Sequence, residues 1–167
     1  MAPTGLRKTV RHPYTRHMAA PRPRRRTTRS PKPLVVIILK GLPGSGKSTW
    51  ARDLIAREPE RYKRVNKDEL RAMLDGGRWS ETSERFIVRA RDLLINAALQ
   101  AGRSVIVDDT NLDPAHEARI RDLVAGRADI EIRFFDVDLD ECIQRDSQRP
   151  KPVGAAVIRE MHARFLA

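Results

Sequence analysis

Residues 34–40, Leu-Val-Val-Ile-Ile-Leu-Lys, run without a break into Gly41-Leu42-Pro43-Gly44-Ser45-Gly46-Lys47-Ser48. The first segment is a continuous run of branched apolar side chains, the pattern of a strand buried on both faces of a parallel sheet. The second fits G-x-x-x-x-G-K-[ST], and the helical spacing of Trp50, Leu54 and Ile55 begins directly behind it. Strand, glycine loop and helix in that order cradle a phosphate chain. The glycines let successive N–H groups point inward with no Cβ in the way, and the helix adds the positive end of its dipole. The expected nucleotide ligands are Gly41, Pro43, Gly44, Ser45, Gly46, Lys47, Ser48 and Thr49, with ATP as the phosphate donor. Lys47 is placed to reach the β- and γ-phosphates, Ser48 to offer its hydroxyl to Mg2+, and Thr49 to bond the α-phosphate.

The rest of the chain alternates. Strands are expected over 62–66, 104–109 and 130–137. Helices are expected over 67–74, from Ser80 to Gly102, from Pro114 to about Ala125, from Asp138 to Pro150, and from Val153 to Phe165. In the long third helix Phe86, Ile87, Leu93, Leu94, Ala97 and Ala98 supply the expected apolar side. The order β-α-β-α-α-β-α-β-α-α predicts an α/β fold, a P-loop NTPase-like parallel sheet with helices on both faces. Such sheets bind ligands beyond the carboxyl ends of their strands. That rim would carry Lys40, Asn66 to Asp68, Asp108 to Asn111, and Asp136.

Charge divides the chain in two. Of its 33 Lys and Arg, ten fall in residues 1–33, which contain no acid. Residues 34–167 hold 23 basic and 22 acidic side chains. The expected organisation is therefore a basic, Pro- and Arg-rich disordered tail over 1–33 and a kinase-sized domain over 34–167. The tail reads as an arm for polyanions, as a solvated extension, or as upstream sequence if translation starts at Met18. An Arg-rich transit peptide is a poorer fit, because the proline content and the lack of an apolar helical face oppose it. No apolar run has the length of a membrane span, and no secretory h-region precedes the domain. The single cysteine, Cys142, cannot form an internal disulfide. The expected location is the cytoplasm, that of a host cell if the gene is phage-borne.

Asp68, in Asn66-Lys67-Asp68-Glu69-Leu70-Arg71, falls just past the second strand on the same rim as the loop. A carboxylate there suits a general base for an attacking hydroxyl, and equally an ordinary helix start. Arg71 shares its helical face. In order and spacing "GLPGSGKSTWA", "NKDELR", "VIVDDTNLDP" and "FFDVDLDECIQRDSQR" resemble the kinase domain of phage polynucleotide 5′-hydroxyl kinases, across residues 34 to about 165. The resemblance implies that Asp68 activates the 5′-hydroxyl, that Arg71 binds the acceptor's terminal phosphodiester, and that Asp109 lies near the metal and acceptor. It also implies a helical lid carrying Arg145 and Arg149, four residues apart on one helical face, which close over the triphosphate. Arg149 is the stronger candidate for neutralising transition-state charge. Read without the resemblance, this pair is a solvated surface motif. Asp108 has no counterpart in the family pattern, and Asn111 suits an Asx turn as well as a substrate contact.

Together these implications describe a kinase that transfers the γ-phosphate of ATP, with Mg2+, to 5′-hydroxyl ends of DNA or RNA. No D-x-D-G-T segment for the phosphatase that accompanies the well-known phage enzymes is found in the sequence. The same machinery also suits a hydroxymethylated base in DNA or a small molecule as acceptor. A nucleic-acid-stimulated NTPase is a third possibility, and it leaves Asp68 and Arg71 without a role.

Overall fold

The computed structural model describes residues 33–167. The basic segment expected over residues 1–33 lies, but for Pro33, outside the described residues. The order of elements is β1 (Val35–Lys40), α1 (Lys47–Arg57), β2 (Tyr62–Val65), α2 (Lys67–Asp75), α3 (Glu81–Gln100), β3 (Ser104–Val107), α4 (Pro114–Val124), β4 (Asp129–Phe134), α5 (Leu139–Ser147) and α6 (Ala155–Phe165). This is the alternation that the sequence predicts. The four strands are parallel in the order β2-β3-β1-β4, so β1, the strand that feeds the glycine loop, has a neighbour on both sides.

That position explains the unbroken apolar run of β1. Val36 and Ile38 face α3 and α4, packed with Ile87, Ile95, Ile120 and Val124. Ile37 and Leu39 face α1, packed with Ala51, Trp50 and Leu54. A third cluster joins Leu42 and Leu112 to Cys142 of α5 and Ile158 of α6. It seats the α5–α6 pair beside the loop. Cys142 is a buried packing residue. Among the described residues no helix is long and apolar enough to cross a membrane.

Three expectations need correction. The buried stripe of α3 is Ile87, Arg91, Asp92, Ile95 and Leu99, whereas Phe86, Leu93 and Leu94 are exposed. Apolar residues occupy two faces of this helix, and the buried face is fixed by Arg91 and Asp92, which satisfy one another. Asp92 Oδ1 accepts from Arg91 Nε and Nη2 at 3.1 and 2.8 Å, and its Oδ2 accepts from Arg119 Nε and Nη2 of α4 at 2.9 and 2.6 Å. Second, β4 ends at Phe134 instead of residue 137. Its pairing partner β1 ends at Lys40, where Gly41 turns its N–H to Thr110 O at 3.2 Å. Third, α5 ends at Ser147, so Arg149 lies beyond the helix and does not share a helical face with Arg145.

The Asp92 clamp yields a prediction. Arg91 is only 1% exposed, and removing the partner of a buried charge leaves it uncompensated. Asp92→Ala should cost about 3 kcal/mol of unfolding free energy, measured by urea denaturation, while Phe86→Ala should cost far less.

Candidate active site

Gly41, Gly44 and Gly46 all have positive φ, at 145°, 85° and 89°. Two of them also stand where no side chain fits. A Cβ on Gly44 would lie 2.2 Å from the carbonyl oxygen of Cys142, and one on Gly41 would lie 2.9 Å from Phe135 O. The loop is thus wedged between the end of β4 and the backbone of α5. With no Cβ atoms between them, Lys47 folds back across the loop. Its Nζ donates to Gly41 O at 2.9 Å, Leu42 O at 2.7 Å and Ser45 Oγ at 3.1 Å. Burial drives the Lys47 ammonium down to about 8 from the ordinary 10.5, with nearby Asp108 pulling the other way.

The loop forms one wall of a cavity of about 990 Å³. Pro43, Gly44, Gly46, Lys47, Ser48 and Thr49 line it from the loop side. Gly41 and Ser45 stand behind them; Ser45 is buried and Gly41 spends its N–H on Thr110. Asp68 and Arg71 reach the same cavity from α2, Asp108 and Asp109 from the end of β3, and Arg145 and Arg149 from the α5 side. Three parts of the chain thus meet across the loop: α2 with a carboxylate and an arginine, the end of β3 with two carboxylates, and the α5 side with two arginines.

The two adjacent carboxylates part company. Asp108 turns to the loop: its Oδ1 accepts from the Ser48 hydroxyl at 3.2 Å and its Oδ2 accepts from Arg64 Nε of β2 at 2.6 Å. Asp109 turns away, its Oδ1 accepting from the backbone N–H of Lys67 at 2.9 Å, with Arg91 Nη1 3.9 Å from its Oδ2. Burial pushes the Asp109 carboxyl above its usual range against the pull of Lys67 and Arg91. Asp109, the carboxylate expected beside the metal, lines the same cavity as Ser48, but the carboxylate that meets the Ser48 hydroxyl is Asp108. Asp108 faces Ser48, and Asp109, in the bend just past β3, faces α2 instead. Of the two roles open to Asn111, its contacts fit that of a turn residue. It is fully buried at φ 43°, and its Nδ2 donates to Leu39 O at 2.9 Å. It holds the turn after β3 and takes no place in the cavity wall.

Asp68 has an open side chain, 76% exposed, and its carboxylate accepts from Arg71. Arg71 is steadied from behind by Glu84 of α3, with Nε to Oε2 at 2.8 Å. Burial works against the Glu84 charge, but hydrogen bonds from Arg71 and Lys67 hold its carboxyl below the usual range. Each lid arginine rests on a carboxylate close by in the chain, Arg145 on Glu141 and Arg149 on Asp146, the latter at 3.0 Å. Sequence reasoning missed Arg64 and Glu84. The signal for Arg64 was a cation sharing a face of β2 with the core residue Tyr62. Glu84, four residues into the helix that Ser80 caps, carries no local signal of a tie to Arg71.

Ser48 and Asp108 together present oxygen donors, the type that hard Mg2+ prefers, and Arg64 engages one Asp108 oxygen while the other stays on the loop side. The residues present fit that ion.

A sequence-family profile described as AAA domain matches residues 36–167. The chain is 30% identical over 140 residues to the L-seryl-tRNA(Sec) kinase of Methanococcus maripaludis, covering 78% of this chain and 52% of that protein. It is 25% identical over 157 residues to a putative bifunctional polynucleotide kinase/RNA ligase of Autographa californica nuclear polyhedrosis virus, covering 84% of this chain and 22% of that protein. It thus spans about half of one relative and about a fifth of the other. Among solved structures, a chain of the Pnkp1/Rnl/Hen1 RNA repair complex superposes with a TM-score of 0.71 at 30% identity, over 80% of this chain and 44% of that one. The Mycobacterium tuberculosis APS kinase CysC with AMPPNP and APS superposes with a TM-score of 0.58 at 25% identity, over 71% of each chain.

The lysine sets a pH dependence. Unfolded, Lys47 keeps its proton to about 10.5; folded, it loses it near 8. Burying the ammonium costs stability below that value, and the cost fades as pH rises through the window. A bound triphosphate favours the charged form, so binding above about pH 8 must take up a proton, and affinity must fall as pH rises. Calorimetry of ATP binding at about pH 9, in buffers of different ionisation heat, should show that uptake, with far less at about pH 7.

Proposed function

The chain belongs to the family described as AAA domain and is a P-loop kinase, and from that premise we propose that it transfers the γ-phosphate of ATP to the 5′-hydroxyl end of a polynucleotide. The observation that carries this reading is the position of Asp68. An exposed carboxylate, tied to an arginine, opens onto the same cavity as Lys47 and Ser48, where an acceptor hydroxyl would meet the end of a triphosphate. Asp68 takes the proton from the 5′-hydroxyl as it attacks. Arg71, held by Glu84, binds the acceptor's terminal phosphodiester through the donors that Asp68 and Glu84 leave unused. Lys47 leaves the loop carbonyls for the β- and γ-phosphates. Arg149 turns its unused guanidinium donors onto the transferring group, and Arg145 swings from Glu141 to join it.

Ser48 and Asp108 would hold Mg2+, with Arg64 fixing the Asp108 rotamer; the ion supplies charge neutralisation between the phosphates. Asp109, backed by Arg91, lines the acceptor side. The likeness to proteins named for polynucleotide kinase and RNA repair supports a nucleic-acid acceptor. A second reading puts the hydroxyl on an amino acid carried by a tRNA, and the likeness to the archaeal kinase supports it.

Two tests follow. Label from γ-labelled ATP should appear on a 5′-hydroxyl oligonucleotide and not on its 5′-phosphorylated twin. Label appearing instead on seryl-tRNA favours the second reading, and label on neither points to a modified base, a small molecule or a nucleotide switch. Asp68→Asn should lower kcat by about 10²–10⁴ with ATP affinity nearly unchanged, read by single-turnover transfer beside equilibrium binding. Asp108→Asn should raise the Mg2+ concentration for half-maximal activity by about tenfold or more, whereas Asp109→Asn should shift it far less.

A further inference from the structure

β4 is an outer strand of the sheet, and among the described residues it pairs with β1 alone. That ladder uses its odd positions: Asp129 N donates to Leu34 O at 2.9 Å and Phe135 N to Lys40 O at 2.8 Å. Alternation along a strand therefore turns the N–H and C=O groups of Ile130, Ile132 and Phe134 outward. On the same edge Ile132 and Phe134 are 38% and 47% exposed. Among the described residues neither Glu131 nor Arg133 has an ion-pair partner, and the Arg133 guanidinium rests on the ring of Trp50 at 4.3 Å. An open edge with two large apolar side chains and no guarding lysine or proline is a template for another strand.

We propose that this edge pairs antiparallel with the same edge of a second copy, about a twofold axis through Ile132, joining two four-stranded sheets into one. Even positions must oppose even positions, which an axis through any residue from 130 to 134 satisfies, so the side chains select the register. An axis at Glu131 sets that carboxylate opposite itself, and an axis at Arg133 sets that guanidinium opposite itself. An axis at Ile130 sets Glu131 opposite Asp129 and Arg133 opposite Arg127. An axis at Phe134 sets Ile132 opposite Asp136. An axis at Ile132 sets Glu131 opposite Arg133 of the second copy, twice by symmetry, and Ile130 opposite Phe134, twice again. The Ile132 residues meet on the axis, and each of the three even-numbered pairs exchanges both of its N–H···O bonds. Only this register joins opposite charges and apolar pairs with no like charges opposed, and cross-strand pairs of these kinds are what stabilise a sheet. The interface is isologous and closes on itself. It presents Ile130, Ile132 and Phe134 of both copies on one continuous face, and it leaves the two phosphate-binding rims at opposite ends of the joined strands.

Sedimentation equilibrium of the full chain from low to high micromolar concentration should show a monomer–dimer equilibrium. Glu131→Arg sets like charges opposite each other twice and should weaken dimerisation by about tenfold or more. Adding Arg133→Glu to it should restore dimerisation. Ile132→Cys brings two thiols together on the axis and should oxidise to a covalent dimer, whereas Glu131→Cys should not. Circular dichroism and ATP binding of Glu131→Arg should match the parent, since its side chain touches neither the core nor the cavity. A chain that stays monomeric throughout, or a dimer indifferent to Glu131→Arg, overturns the proposal and leaves the edge to a strand of another protein.

Discussion

A buried ammonium with no carboxylate in contact organises this molecule. Lys47 is held by two backbone carbonyls and a hydroxyl, dipoles that stabilise a cation less well than an anion would. The lowered affinity of Lys47 for its proton is the measure of that deficit. A site built this way is incomplete until an anion enters. The loop geometry that creates the deficit depends in turn on Gly41 and Gly44, which bring Phe135 and Cys142 close enough to hold the loop on both sides. The central apolar strand exists to deliver this loop, and the α5–α6 pair exists to press on it.

Around that cation the acidic groups are graded by burial. Asp68 is mostly exposed, Asp109 nearly buried, and Asp108 almost wholly so. The buried ones are the ones with fixed partners: Arg64 for Asp108, the Lys67 N–H and Arg91 for Asp109. This is the distribution expected if a carboxylate that meets a mobile acceptor stays open to it, while those that set geometry are locked. Arg91 ties the arrangement to the fold. It stands on the buried face of α3, is neutralised by Asp92, and reaches toward Asp109 from beneath, so the Asp92–Arg119 link between α3 and α4 also braces the floor of the site.

Most of the fold was legible because hydrophobic period and punctuation agreed. The branched run of β1, the Asp138 start and the Pro114 start each carry a local physical cause, and each element appears. What failed was phase, not period. Phe86 and Leu93 repeat at helical spacing as well as Ile87 and Ile95 do, and the deciding pair, Arg91 and Asp92, looks solvent-facing until their mutual neutralisation is seen. In the site, most of the loop, Asp68, Arg71 and the lid arginines were readable from spacing and resemblance and do line one cavity. Which of Asp108 and Asp109 meets Ser48 was not readable, since two consecutive carboxylates differ only in the side to which the chain turns them.

The state of the lid arginines separates two costs of closing the site. Arg145 rests on Glu141 across an exposed helical pair, which is worth a few tenths of a kcal/mol and is readily exchanged for phosphate. Arg149 rests on Asp146, whose carboxylate is 1% exposed and is itself fixed by the Gly154 N–H at 2.9 Å. That carboxylate cannot follow the arginine outward, and it engages only one nitrogen of the guanidinium. The remaining donors of the fork are free while the first stays anchored. Arg149 can therefore meet a phosphoryl oxygen without giving up its buried partner, whereas Arg145 must choose. A rigid, pre-aimed guanidinium loses less freedom at the moment of transfer than one recruited from solvent. On this geometry the arginine outside the helix, rather than its helical neighbour, is the better placed to stabilise transferring charge.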